Sequence, residues 1–149
     1  MLAEQRQRIQ DSWSLAAPAA DELTSRFYAR LFEIDEGAAR LFAATDMIAQ
    51  RRKFTDMLHA IVAAIDEPRQ LVPGVAALAR RHVAYGVEDH HYDSVGEALL
   101  HAFAETLGSA FTADVRAAWA EAYALLASVM RRAANRPSGA HPAAGDAPA

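Results

Sequence analysis

Phe54-Thr55-Asp56-Met57-Leu58-His59-Ala60-Ile61-Val62-Ala63-Ala64-Ile65 is the stretch that decides the fold. Its large apolar residues, Phe54, Met57, Leu58, Ile61, Val62 and Ile65, recur at steps of three and four. An α-helix gathers such positions onto one face, whereas a strand, whose side chains alternate, scatters them. Downstream, Pro68 closes this helix and Pro73 opens another, which carries Val75, Leu78, Ala79 and His82 and stops near Gly86. Upstream, Leu2 to Leu15 forms a first helix, with Ile9, Trp13 and Ala16 on one side. A second helix after Pro18 carries Leu23, Phe27 and Leu31, and a short turn follows through Arg40-Leu41-Phe42. Two long helices complete the reading. One runs from about Ser94 to Ala110, and the other is capped by Thr112 and carries Val115, Trp119, Ala122, Leu126, Val129 and Ala133. No segment shows strand-like alternation. The expected fold is therefore all-α, in one domain over 1–135. Residues 136–149, which include three prolines, two glycines and no large apolar side chain, read as a disordered tail.

Composition narrows the chemistry. Among 149 residues there is no cysteine, so thiolate catalysis, Fe–S clusters and Cys-based zinc sites are excluded. The formal net charge is -4, which does not favour nucleic acid or an anionic membrane, and Arg51-Arg52-Lys53 reads as a solvated helix face. No run of 18 apolar residues and no signal-peptide core stands out, so a cytoplasmic protein without stable membrane association is expected.

His82 is the residue with most chemical potential. It lies on the inner face of its helix, four residues after Leu78 and seven after Val75. A lone inward histidine is either a satisfied core residue or a ligand. As a ligand it would offer Nε2 to a metal, while Nδ1–H bonds a carbonyl one turn back, near Leu78. Gln50 and Phe54, four apart, share a face at the start of the decisive helix. Tyr28 stands just off the buried stripe of the second helix, and Phe42 ends a helical segment where a ring could wedge against a flat ligand. His59 points away from the Gln50–Phe54 face, and His90 and His91 fall in the turn expected before the next long helix.

In order and spacing, several strings resemble the globin family, and more narrowly the bacterial single-domain haemoglobins related to the haem domain of flavohaemoglobins. They are Phe27-Tyr28-Ala29-Arg30-Leu31-Phe32, Arg40-Leu41-Phe42, Gln50-Arg51-Arg52-Lys53-Phe54, Arg81-His82-Val83-Ala84-Tyr85-Gly86-Val87, His91-Tyr92-Asp93-Ser94-Val95-Gly96, and Ala117-Ala118-Trp119 with Tyr123. The resemblance spans about Leu2 to Ala134. It implies a globin fold around haem b (iron protoporphyrin IX), with His82 as the proximal iron ligand. It also implies Phe42 packed on the porphyrin, Tyr28 and Gln50 as the polar distal pair, and Phe54 as the apolar distal residue. Lys53 is implied near a propionate, Val87 at the haem edge, and Leu78, Arg81 and Tyr92 as further haem contacts.

That resemblance makes diatomic gases (O2, NO and CO) the expected ligands. Reversible, high-affinity O2 binding for storage or delivery leads. Nitric oxide dioxygenation is the alternative, using a separate reductase because no Gly-rich dinucleotide motif is present. Gas or redox sensing is a third reading. One departure bears on the choice. The family links the proximal histidine to a tyrosine and a glutamate. Tyr92 matches the tyrosine, but the glutamate position falls on Ala134, and Glu121 is the nearest carboxylate of that helix. The linkage is therefore expected to be incomplete.

Overall fold

A computed structural model of the chain describes residues 1–135, so the expected tail lies outside the described residues. Seven α-helices follow one another: α1 (Ala3–Ala16), α2 (Ala20–Ile34), α3 (Glu36–Leu41), α4 (Met47–Ala63), α5 (Val72–Ala84), α6 (Asp89–Leu107) and α7 (Ala113–Ala134). The described residues contain no strand, as the apolar periodicity requires. No described helix is long and apolar enough to cross a membrane.

The helix ends follow side-chain chemistry. Asp35 caps α3 by accepting from the Ala38 amide at 3.1 Å, and Asp46 caps α4 by accepting from Ile48 and Ala49. Thr112 caps α7 by accepting from Val115 at 3.2 Å. Two boundaries differ from the sequence reading. Helix α4 stops at Ala63, five residues before Pro68, which instead enters a short 3₁₀ turn, Pro68–Gln70. Helix α6 begins at Asp89 rather than near Ser94. There the Glu88 amide donates to His91 Nδ1 at 2.8 Å, so an imidazole does the work of an N-terminal cap. His90 and His91 are thus part of the first turn of a helix, and His91 is buried.

The helices pack as a sandwich. Helix α2 lies against α4 and α6, while α7 lies against α1, α5 and α6. The buried apolar residues divide into two clusters. The larger joins α1, α2, α4, α6 and α7 through Ile9, Trp13, Phe27, Leu31, Phe54 and Phe103, among others. The smaller joins α5, the start of α6 and the end of α7 through Val75, Ala79, Tyr92, Ala127, Met130 and Ala133. Tyr123 packs against both. Both indole N–H groups of the larger cluster are satisfied: Trp119 Nε1 donates to Ser12 Oγ at 2.9 Å, and Trp13 Nε1 donates to His59 Nδ1 at 2.7 Å. His59 therefore has a structural role.

Phe103 is fully buried, with its ring centroid 4.3 Å from that of Trp119. Phe103→Ala should cost about 3–5 kcal/mol through lost burial and a residual cavity, read as a lowered midpoint in urea denaturation.

Candidate functional site

The two apolar clusters are separated by a cavity enclosing about 820 Å³ of atom-free space, its mouth included. Its lining is overwhelmingly apolar and comes from every helix from α2 to α7. Phe27, Tyr28, Phe42, Phe54 and Leu99 face it from the larger cluster, and Tyr92 and Met130 from the smaller. The polar side chains among its walls belong to His82, His91 and three tyrosines, Tyr28, Tyr92 and Tyr123. A few polar groups in an apolar concavity are the usual signature of a ligand site.

His82 lies near the end of α5, buried, and its Nδ1 donates to the Leu78 carbonyl at 2.8 Å. A carbonyl can only accept, so the proton sits on Nδ1 and the lone pair on Nε2. That tautomer is the one a metal ligand needs, and the helix supplies it without another side chain. The backbone amide of Val87 returns to the His82 carbonyl at 2.9 Å, and Gly86, at φ 90°, makes the turn between them.

Tyr28 enters the cavity from α2. Its ring is packed edge-on by Phe27, Phe42 and Phe54, with centroids 4.8, 5.5 and 5.8 Å away. Gln50, buried in the first turn of α4, donates from Nε2 to the Tyr28 hydroxyl oxygen at 3.1 Å. Burial pushes the Tyr28 hydroxyl up to about 12, with the Gln50 contact pulling the other way. The phenol is thus neutral across the physiological range, and its oxygen already accepts one bond. Its own O–H remains a donor.

Tyr92 lines the cavity from the first turns of α6, and its hydroxyl is buried with no hydrogen-bond partner. Burial raises its pKa, with the Arg131 guanidinium opposing. The Arg131 guanidinium carbon lies 5.3 Å from the Tyr92 ring centroid, while the group is paired to Asp89 at 2.8 Å and Asp93 at 3.0 Å. Glu121 does not approach Tyr92, because it accepts a hydrogen bond from Gln5 of α1. Tyr123 donates from its hydroxyl to the Tyr92 carbonyl at 2.5 Å and bridges the two clusters. It can do so because position 96 is glycine: a Cβ there would stand 2.8 Å from the Tyr123 ring.

The structure therefore brings together Tyr28, Phe42, Phe54, Leu78, His82, Val87 and Tyr92 on one cavity. Gln50 reaches it through Tyr28, while Lys53, exposed on α4, and Arg81, on α5, lie outside the lining. Tyr123 and His91 also line it and escaped the sequence reading as site residues. The aromatic spacing from Trp119 to Tyr123 was a signal for the first. The second falls, by sequence, in the turn expected before α6, and is buried because that helix begins at Asp89.

A family model described as globin matches residues 25–130. A flavohemoprotein of Rhodopirellula baltica is 34% identical over 132 residues, covering 87% of this chain and 32% of the relative. A flavohemoprotein of Chromobacterium violaceum is 36% identical over 110 residues, covering 72% of this chain and 27% of the relative. The chain thus spans about a third or less of the length of these relatives. The fold matches a solved bacterial globin from Campylobacter jejuni with a TM-score of 0.79 at 24% identity, over 89% of this chain and 96% of that one.

Gly96→Ala should destabilise the protein by about 1–3 kcal/mol, because the half-buried Tyr123 ring must move. A double-mutant cycle with Tyr123→Leu checks the cause: the cost of the alanine should shrink once the ring is gone.

Proposed function

The chain belongs to the globin family, and from that premise we propose that it is a haem protein that converts nitric oxide and dioxygen to nitrate, with a reductase outside these 149 residues supplying electrons. The homology implies a haem-binding, gas-binding fold. The fit of this cavity to that group can be judged from its own residues. The walls are apolar and aromatic, one imidazole is held in the tautomer that donates from Nε2, and a neutral phenol donor stands on a different helix. That donor set suits a flat iron porphyrin.

His82 would hold the iron through Nε2. Phe42, Phe54, Leu78 and Val87 would pack against the ring, and Tyr92 would close the side towards α7. Lys53 and Arg81, near but not in the lining, would serve the propionates. A bound haem supplies an iron that takes a diatomic ligand and changes oxidation state. The protein's own part is polarity and exclusion of water. Gln50 fixes the phenol by donating to its oxygen, so Tyr28 would direct its O–H towards a diatomic held in the cavity, while Phe27, Phe42 and Phe54, packed around that ring, would keep water away. In such surroundings a hydrogen bond to a partly charged acceptor is worth about 1–2 kcal/mol. The overall conversion, NO plus O2 plus one electron to nitrate, balances in atoms and charge. It needs a returned electron each turn, hence the reductase.

The observation that carries this reading is the Gln50–Tyr28 hydrogen bond at the cavity wall. The relationship to flavohemoproteins moves the weight from O2 storage to turnover. A second reading, high-affinity O2 binding without sustained turnover, is favoured by the buried Tyr92 hydroxyl, which has no carboxylate partner among the described residues.

Native protein loaded with haem should release O2 slowly, and Tyr28→Phe should speed that release about tenfold; an unchanged rate removes Tyr28 from the role. With excess nitric oxide and a cellular reductase preparation, many nitrates per haem support the enzyme. A single nitrate per haem selects the second reading. His82→Ala should fail to give the axially ligated haem spectrum of the native protein.

A further inference from the structure

We propose that Asp35, His90 and His91 form a site for one divalent transition-metal ion of the zinc, nickel or copper class, clamped between the start of α3 and the first turn of α6. These residues stand apart from the axial position assigned to His82, and the proposal does not rest on the gas chemistry above.

The carboxylate is held from both helices. Asp35 Oδ1 accepts from the Ala38 amide at 3.1 Å, and Oδ2 accepts from the Ser94 hydroxyl at 2.7 Å. Each oxygen keeps a lone pair. His90 Nδ1 lies 3.4 Å from Oδ2, and His91 Nε2 lies 3.9 Å from Oδ1. One donor atom from each of the three residues falls within 4.8 Å of the others. Ligand atoms about 2.0–2.2 Å from a tetrahedral zinc stand roughly 3.3–3.6 Å apart, so small side-chain movements close the set. His90, exposed at the surface, is free to make them.

Three further observations point to a cation. His91 is 6% exposed, and its Nε2 is buried, faces Asp35 and has no hydrogen-bond partner. Gly37 keeps the space clear: a Cβ there would stand 3.2 Å from both Asp35 Oδ1 and His91 Nε2. Finally, Glu88 Oε2 lies 3.0 Å from His90 Nε2. A proton on Nε2 donated to that carboxylate leaves the Nδ1 lone pair aimed at Asp35, an arrangement that outer carboxylates commonly impose on metal-binding imidazoles. Burial, followed by the neighbouring His90, holds the His91 pKa below its ordinary value, which favours the uncharged ring.

Binding asks one change of His91. Its Nδ1 now accepts from the Glu88 amide at 2.8 Å, so in the uncharged ring the proton is on Nε2. The metal takes the Nε2 lone pair, the proton passes through solvent to Nδ1, and the Glu88 amide, on an exposed residue, turns to water. Protons balance and the ring stays neutral. The site trades one cap bond for three coordinate bonds.

The test uses the full chain loaded with haem, titrated with zinc chloride by calorimetry at pH 7.5, and copper(II) paramagnetic resonance on the same protein. We expect one saturable zinc per chain and copper hyperfine splitting from two nitrogens. His90→Ala and Asp35→Asn, the second still able to cap α3, should each weaken zinc at least tenfold while the haem spectrum stays native. His90→Ala should also reduce the copper signal to one nitrogen. His141→Ala, outside the described residues, should leave binding unchanged. Absence of saturable zinc binding in native protein, equal binding in the His90→Ala and Asp35→Asn variants, or loss of binding in His141→Ala would overturn the proposal.

Discussion

The hydrogen bond from His82 Nδ1 to the Leu78 carbonyl is short-range, entirely within α5, and yet the use of the whole cavity turns on it. It settles which ring nitrogen carries the proton, and so which can donate electrons. Because the acceptor is the helix's own backbone one turn back, the tautomer is secured wherever α5 is formed. What remains is to give α5 a fixed place. The smaller apolar cluster does that, pressing Val75 and Ala79 against Ala127, Met130 and Ala133 of α7. A buried Leu or Met side chain contributes about 1.5–3 kcal/mol, so a few such contacts outweigh the cost of burying one imidazole that keeps a bond.

The opposite wall is built by the same logic with different groups. Tyr28 and Gln50 are polar residues buried inside an aromatic cluster, and each is tolerable there because it meets the other. Direction matters more than presence. An amide that donates to the phenol oxygen leaves the phenol to act as donor, and burial stops it ionising. Exchanging the two polarities would leave an acceptor on the wall and repel a partly negative ligand. A pair 22 positions apart in sequence thus reads as one donor.

Much of this was legible in the chain. The three-and-four spacing from Phe54 to Ile65 predicted α4, and the inward position of His82 with Leu78 one turn before it predicted the bond that fixes its tautomer. The all-helical fold class followed from the same periodicity. Less was legible where a cap came from an unusual side chain. Imidazole is a rare helix cap, so the sequence pattern announces α6 only near Ser94 and gives no sign that His91 is buried. The spacing of Trp119 and Tyr123 marks Tyr123 as a packing residue, but its contact with Gly96, a close approach between two helices, is announced by no local pattern. Lys53 and Arg81 stand near the cavity in sequence terms but outside its lining, since long charged side chains follow solvent more than helix phase.

The His82 side of the cavity is marked by the absence, among the described residues, of a carboxylate at the Tyr92 hydroxyl. With alanine at 134, no described carboxylate meets the Tyr92 hydroxyl, and Glu121, one possible substitute, is engaged by Gln5 on α1. The space over the Tyr92 ring is taken by Arg131, whose own charge is balanced by Asp89 and Asp93. The Nδ1 proton of His82 goes to a neutral carbonyl, that of Leu78. A carbonyl draws the proton less strongly than a carboxylate, so the imidazole keeps less electron density to pass on. The two halves of the cavity consequently pull in different directions. The Tyr28 wall favours holding a partly negative diatomic, while the His82 wall supplies only moderate electron donation. Under the proposed function, a site so divided would suit retention of dioxygen until a second small reactant arrives, rather than cleavage of the oxygen–oxygen bond unaided.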